Sequence, residues 1–142
     1  MRTLDHYLDT IDDTDTIGRE YVARAIFVAR EGPAELSDPK PSDLRPIIED
    51  LPDTVSADEA IRLVCASALR RAADDDSPGS TIRTVREALG MSRTEMGERL
   101  GIPTQGRQCG TLRKWELRER SPDWKGRGKL RSLADELEDT DG

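Results

Sequence analysis

Apolar residues recur every three or four positions through most of this chain, which is the spacing of amphipathic α-helices. In the N-terminal half the pattern predicts one helix over residues 4–11 and a second over about residues 15–30. Glycine and proline are frequent at residues 32–42, where a loop is expected. A short helical segment is expected at residues 44–51, and no internal repeat is visible.

Ser56 and Glu59 have the spacing of a capping box, in which each side chain bonds the backbone N–H of the other residue. A longer helix is therefore predicted to start after Ser56 and to end at Arg70 and Arg71, whose positive charges suit a helix C-terminus. Cys65 lies on the apolar face of this helix and is expected in the core. The helices of this half bury their apolar faces against one another or offer a dimerisation or partner-binding surface, and the sequence leaves both possibilities open.

The C-terminal half has the same periodicity in shorter segments. Helices are predicted over residues 81–89, from Ser92 to a left-handed turn at Gly101, from Gly110 or Thr111, and over residues 125–138. Arg83 and Arg86 are expected on the outer side of the first of these helices. Trp124 either packs on the outside of the core or lies exposed at an interface, and the sequence leaves both possibilities open. The positions expected to face the core are Met96, Leu100, Ile102, Leu112, Trp115, Leu130, Leu133, Ala134 and Leu137.

Charge is distributed unevenly around a net value of -7. Residues 1–79 hold 9 basic and 18 acidic residues, whereas residues 82–131 hold 13 basic and 6 acidic residues, a local net charge of +7. The polar run DDDSPGS at residues 74–80 favours a solvated linker. We therefore expect an acidic helical module at residues 1–73 and a second domain at residues 81–142. The acidic half would repel nucleic acid, and the basic segment would attract it.

Composition narrows the class of protein. The chain has 18 Arg but only 4 Lys, together with 17 Asp, a bias that suggests a halophile or phage origin. No apolar run approaches the roughly 20 residues that span a bilayer, and the N-terminus lacks the apolar centre of a signal peptide, so a cytoplasmic location is expected. Two cysteines and one histidine suggest no disulfide framework and no His-based metal site. Since no nucleophile, base or metal set is visible, we expect no cofactor and no enzymatic activity.

The segments IRTVREALGMSRTEMGERLGI and TLRKWELRERSP resemble the lambda-repressor-like, or Xre, helix-turn-helix family. The resemblance covers about residues 81–137 and none of the N-terminal half. Between Gly101 and Trp115 the chain is several residues longer than is usual in the family, within the stretch PTQGRQCGT. The positions that match the family pattern are Ser92, Glu95, Met96, Gly97, Leu100, Gly101, Ile102, Trp115, Glu116, Arg120 and Pro122.

Periodicity predicts an all-α fold with an N-terminal helical bundle. The resemblance implies that a helix-turn-helix domain follows it, whose third helix enters the major groove of double-stranded DNA. Gln suits adenine and Arg or Lys suits guanine, because each can form two hydrogen bonds with that base, while other arginines bind phosphate. A homodimer with half-sites about 34 Å apart is expected. The residues implied to contact bases are Gln105, Arg107, Gln108, Thr111 and Lys114. Those implied to contact phosphate are Arg93, Arg113, Arg118, Arg120, Lys125 and Arg127.

These features predict a sequence-specific DNA-binding transcriptional regulator with a possible protein partner at its N-terminal half. The alternative is a protein-interaction module, such as an antitoxin or a viral accessory protein, that keeps the helix-turn-helix shape. The long loop at residues 103–110 favours the alternative modestly, and the +7 segment favours the regulator.

Overall fold

A computed structural model of the chain describes residues 4–31, 41–75, 78–102 and 110–139. These residues contain eight helices and two short strands, which confirms the expected all-α class apart from one small antiparallel sheet. No helix among them is long and apolar enough to cross a membrane. In chain order the elements are α1 (Leu4–Asp12), β1 (Thr16–Gly18), α2 (Arg19–Glu31), α3 (Pro41–Glu49), β2 (Thr54–Ser56), α4 (Ala57–Ala72), α5 (Gly79–Ala88), α6 (Arg93–Leu100), α7 (Gly110–Glu116) and α8 (Trp124–Asp139).

The strand β1 replaces the predicted start of the second helix. The sequence predicts a helix from residue 15, but residues 16–18 pair with β2, with Ile17 opposite Val55, and α2 starts only at Arg19. The predicted boundary is wrong because an apolar residue such as Ile17 fits a strand as well as a helix. Its pairing partner lies far along the chain, where local periodicity carries no information about it.

The strand pair joins two similar units, α1–β1–α2 and α3–β2–α4. Arg19 donates its backbone N–H to Asp53 O at 3.2 Å, and Ala57 donates to Asp15 O at 3.0 Å, so each unit bonds the other in the same way. The sequences at the two strands, DTIGRE and DTVSAD, share an Asp-Thr-hydrophobic-small pattern. The structure thus contains a repeat that the sequence did not reveal, because the similarity is confined to these few positions.

Apart from the late start of α2, and from α5, which begins at Gly79 rather than at residue 81 and so within the predicted linker, helix ends follow the predicted signals with one exception. Ser56 accepts a hydrogen bond from a first-turn backbone N–H of α4 at 3.2 Å, and Ser92 and Glu95 form the complete capping box of α6. Gly101 ends α6 with a φ of 72°, a left-handed conformation that glycine adopts without strain. The exception is α3, which begins at Pro41 rather than near residue 44, because proline is well suited to a first helical position.

One continuous set of buried apolar residues runs through both halves of the chain. Helix α4 lies at its centre and packs against α2, α5 and α8, and its contact with α8 is the most extensive between any two of the described elements. Val64 and Leu69 of α4 and Leu130 of α8 are fully buried. The division into modules at residues 74–80 stays a prediction, but α8 shares its core with the N-terminal half.

Ion pairs line the edges of the contact between α4 and α8. Arg70 donates to Asp135 Oδ1 at 2.6 Å and also pairs with Glu138. Arg131 pairs with Asp74 at 2.5 Å. Because these side chains are exposed to solvent, each pair contributes at most about 1 kcal/mol, and the buried apolar faces supply most of the stabilisation.

Candidate nucleic-acid interface

Helix α6 is fixed at both ends and along its inner face. Met96, Gly97 and Leu100 are buried, and Ile102 closes the core just after the helix. Lys129 of α8 donates a hydrogen bond to Gly101 O at 3.0 Å. The predicted inward positions in this helix are confirmed.

Helix α7 is anchored by two inward side chains, as the sequence predicts. Leu112 is fully buried and Trp115 is 5% exposed. The indole lies directly against α8, since a Cβ added to Gly126 would lie 2.9 Å from the Trp115 ring. The start of α5 approaches even more closely, because a Cβ on Gly79 would lie 2.2 Å from Trp115 O. These contacts orient the opposite face of α7 towards solvent.

Glu116, the last residue of α7, is the only charged residue classed as buried in the described part of the chain. Arg86 of α5 donates two hydrogen bonds to its carboxylate, Nε to Oε2 at 3.1 Å and Nη2 to Oε1 at 3.0 Å. Arg86 Nη1 also donates to Met91 O at 3.1 Å. Such a bidentate pair compensates for the loss of water around both charges. It joins α7 to α5 and neutralises a carboxylate beside the exposed face of α7.

The sequence placed Arg86 on an outer helix face, and the structure corrects this position. Only 14% of the Arg86 side chain is exposed. Arg86 is next to the core residue Val85, at the edge of the apolar face of α5. Its long side chain lets the guanidinium reach the buried carboxylate of Glu116. Helical periodicity predicts on which face of a helix a residue lies, but not which residue of another helix its side chain contacts. The ion pair between Arg86 and Glu116 is therefore not predictable from it.

Arg93, predicted to bind phosphate, faces the same carboxylate. Its Nε lies 3.4 Å from Glu116 Oε2, which is within ion-pair distance. That nitrogen is buried and has no hydrogen-bond partner among the described residues, so its contact with Glu116 is an ion pair and not a hydrogen bond. About a quarter of the Arg93 side chain remains exposed. A phosphate contact by Arg93 stays a prediction, and it would compete with Glu116 for the guanidinium.

Five polar or basic residues are exposed on α7 and in the turn after it, where Leu117, Glu119 and Ser121 are exposed as well. Thr111, Arg113 and Lys114 of α7 are exposed, as are Arg118 and Arg120 in the turn. We call these five residues the basic face. No ion pair with a carboxylate is recorded for its four cations within the described part of the chain, so their charges are available to an external anion.

Most other basic residues of the 82–131 segment are engaged within the chain. Arg83 pairs with Glu87 at 3.0 Å, and Arg99 lies 3.7 Å from Glu136. Most of the positive charges in the +7 segment therefore have partners within the chain, and a much smaller set is left to bind an external anion. The engaged residues are Arg83, Arg86, Arg93, Arg99, Arg127, Lys129 and Arg131, with carboxylates or backbone carbonyls as partners.

Arg118 has a backbone conformation that is rare for a residue other than glycine. Its φ is 62°, a left-handed value that costs roughly 1–2 kcal/mol with a Cβ present. Its N–H bonds Trp115 O at 3.2 Å and the N–H of Glu119 bonds Lys114 O at 2.9 Å, the paired bonds that close many helix C-termini. Arg118 Nη2 also donates to Ser80 Oγ at 2.7 Å. The turn thus folds back against α7, and the Arg118 guanidinium contacts Ser80 near the start of α5.

Arg127, a candidate for phosphate binding, has backbone partners instead. Its Nη1 donates to Ala73 O at 2.9 Å and to Asp75 O at 2.7 Å, just after α4. Its Nε donates to Pro122 O at 3.1 Å. The guanidinium therefore ties the turn before α8 to the C-terminal end of α4.

Three predicted base contacts, Gln105, Arg107 and Gln108, lie outside the described residues, as does Cys109. Their roles stay predictions. Burial raises the pKa of the Cys65 thiol to about 12, so Cys65 is an inert core thiol. Among the described residues no group of His, Cys, Asp or Glu side chains could hold a metal ion.

No protein-family model, curated protein or solved structure matches this chain. The likeness of its motif to the helix-turn-helix family therefore stands as a resemblance. A proposal on function rests on the residues described above and on their geometry.

Proposed function

We propose that this protein is a sequence-specific DNA-binding regulator in which α7 enters the major groove of double-stranded DNA. One observation carries the proposal: α7 buries Trp115 and Glu116 while its opposite side presents Arg113 and Lys114 with no partner recorded in the described chain. The major groove, about 12 Å wide, admits an α-helix. The acidic N-terminal half serves in this proposal for dimerisation or partner binding.

The residues of the basic face divide into two roles. Arg113 and Lys114 lie on the helix, where Lys114 suits the O6 and N7 acceptors of guanine and Arg113 suits a neighbouring phosphate. Arg118 and Arg120 lie in the turn and suit phosphate oxygens, which fix the register without selecting a sequence. Neutralisation of Glu116 by Arg86 supports this arrangement because it removes an uncompensated negative charge next to the groove.

The test begins with selection of bound duplexes from a random pool at low and at high salt. Enrichment of a defined sequence is expected, and a palindrome would support a homodimer. No enrichment at either salt concentration would count against the regulator.

The second part of the test measures affinity for the enriched duplex by fluorescence anisotropy. The Arg113→Ala, Lys114→Ala double variant should bind about 10- to 100-fold more weakly, since a base contact contributes about 1–3 kcal/mol. Its matched control is Arg30→Ala, Arg45→Ala, which removes the same charge from exposed positions of the N-terminal half. Equal affinity of the two double variants would contradict the proposal.

The alternative, a protein-interaction module, is favoured by a cavity of about 120 Å³ between α1, α4 and α5. Its lining combines apolar Leu8 and Ile61 with the carboxylates of Asp5, Asp9 and Glu87. A cavity of this kind suits the stem and the charge of a Lys or Arg side chain from a protein partner. A chain that selects no duplex sequence and keeps an intact fold would favour this second function.

A further inference from the structure

Trp124 is the most exposed large apolar side chain in the described part of the chain, with 77% of its surface accessible. Leu117, at 47%, is the only other large hydrophobic residue classed as exposed there. Leu117 lies in the segment that joins α7 to α8, and Trp124 is the first residue of α8, directly after that segment. Exposed aromatic rings of this kind are enriched at sites that contact another molecule.

The exposure of Trp124 follows from the way the start of α8 is held. Asp123 Oδ1 accepts the N–H of Gly126 at 2.8 Å, and Asp123 O accepts the N–H of Arg127 at 2.9 Å, so the first turn is closed around Trp124. Trp115 occupies the side of that turn that faces the core. Trp124 is therefore directed away from the core by a fixed backbone.

Trp124 has the cation of Lys125 beside its ring, and it lies four residues after Arg120 of the basic face. Lys125 Nζ lies 5.7 Å from the centroid of the Trp124 ring. The backbone N–H groups of Glu119 and Arg120 bond Lys114 O at 2.9 and 3.3 Å, so the turn lies directly against the last turn of α7. Of the two carboxylates in this segment, Asp123 is used by the cap of α8 and Glu119 remains in solvent.

These features select one kind of partner. A protein interface has an apolar centre, but among the described residues Leu117 is the only other exposed large apolar side chain that could contribute to one. A flat ring next to cations instead matches the sugar–phosphate backbone of DNA, in which apolar deoxyribose alternates with phosphate. We propose that Trp124 packs on a deoxyribose of the DNA backbone beside the α7 site, with Lys125 and Arg120 on the flanking phosphates. This inference rests on the proposed function and adds a contact that does not depend on sequence.

The experiment uses the full chain labelled with 5-fluorotryptophan, whose two ¹⁹F resonances are assigned with the Trp124→Phe variant. On addition of the enriched duplex, the Trp124 resonance should shift and lose its H₂O/D₂O solvent-isotope effect, while the Trp115 resonance keeps its small one. In anisotropy measurements Trp124→Ala should weaken binding about five- to tenfold on the enriched and on a scrambled duplex alike. Trp124→Phe should retain most of the affinity, and Lys125→Ala should lower the slope of log affinity against log salt by about 0.9.

Two outcomes would overturn the inference while leaving the proposed function in place. One is a duplex complex in which the Trp124 resonance stays solvent-exposed and Trp124→Ala binds as tightly as the wild type. The other is a shift of the Trp124 resonance with protein concentration in the absence of DNA, which would assign this surface to a second copy of the chain. If the wild-type chain binds no duplex, the proposed function fails, and this inference fails with it.

Discussion

At the scale of single residues, Glu116 shows that a carboxylate can be buried when an arginine, here Arg86, is held next to it as an ion-pair partner. Because its carboxylate depends on Arg86, Glu116→Gln should lower the free energy of unfolding by about 3 kcal/mol, the low end of the range for breaking a buried pair. Urea denaturation followed by circular dichroism measures this change. The control is Glu119→Gln, an exposed carboxylate three residues further on, which should change stability by less than about 0.5 kcal/mol. Equal effects of the two substitutions would mean that the buried pair contributes little.

Cys65 gives a prediction about pH. Burial raises the pKa of its thiol to about 12 in the folded chain, whereas an unfolded chain has a value of about 8.5. Above pH 9 the unfolded state loses this proton and the folded state keeps it, so stability falls as pH rises towards 12. Relative to Cys65→Ala, the wild type should lose about 1.4 kcal/mol per pH unit between pH 9 and pH 11 and nothing below pH 8. A constant difference between the two proteins across this range would rule out a buried, protonated thiol.

At the scale of elements, two glycines of α8 form a matched pair. A Cβ on Gly126 would lie 2.9 Å from the buried Trp115 ring and 3.2 Å from Pro122 Cβ, whereas a Cβ on Gly128 would meet nothing within 4 Å. Gly128→Ala should therefore stabilise the protein by about 0.5–1 kcal/mol through helix propensity. Gly126→Ala should destabilise it by about 1–3 kcal/mol and alter the fluorescence of Trp115, because the contact is overpacked. Thermal melts of both variants test this, and a gain in stability for Gly126→Ala would show that α7 is not seated against α8.

The elements whose ends were predictable are those whose ends are set by residues close to them in the sequence. Ser92, Glu95 and Gly101 define both ends of α6, and all three act locally. The strand β1 was missed because Ile17 is held by Val55, a partner that no local pattern names. The candidate site was likewise predictable only where local spacing determines it. The exposure of Arg113 and Lys114 follows from helical spacing, but the ion pair between Arg86 and Glu116 depends on how two helices meet.

At the scale of the whole molecule, charge asymmetry and the polar run at residues 74–80 predicted two modules. Periodicity identified the apolar face of α8 but not the helix that covers it. In the structure α4, a helix of the acidic half, packs against this face of α8. Arg127 also donates hydrogen bonds to the carbonyl oxygens of Ala73 and Asp75, at the start of the predicted linker. A C-terminal half whose last helix packs on the other half has a stability that depends on both.

This dependence can be measured with the intrinsic chromophores of the chain. Both tyrosines, Tyr7 and Tyr21, lie in the acidic half, and both tryptophans lie in the basic half. Because α4 and α8 share one core, tyrosine and tryptophan signals should report a single urea transition with the same midpoint and slope. Leu133→Ala on α8 should lower both midpoints together, by an amount that corresponds to about 2–5 kcal/mol, although the substitution lies in one half only. Ser132→Ala, an exposed neighbour, should move neither. A shift confined to the tryptophan signal would instead establish two independent modules, and the basic half would then have to hold α8 in place without α4.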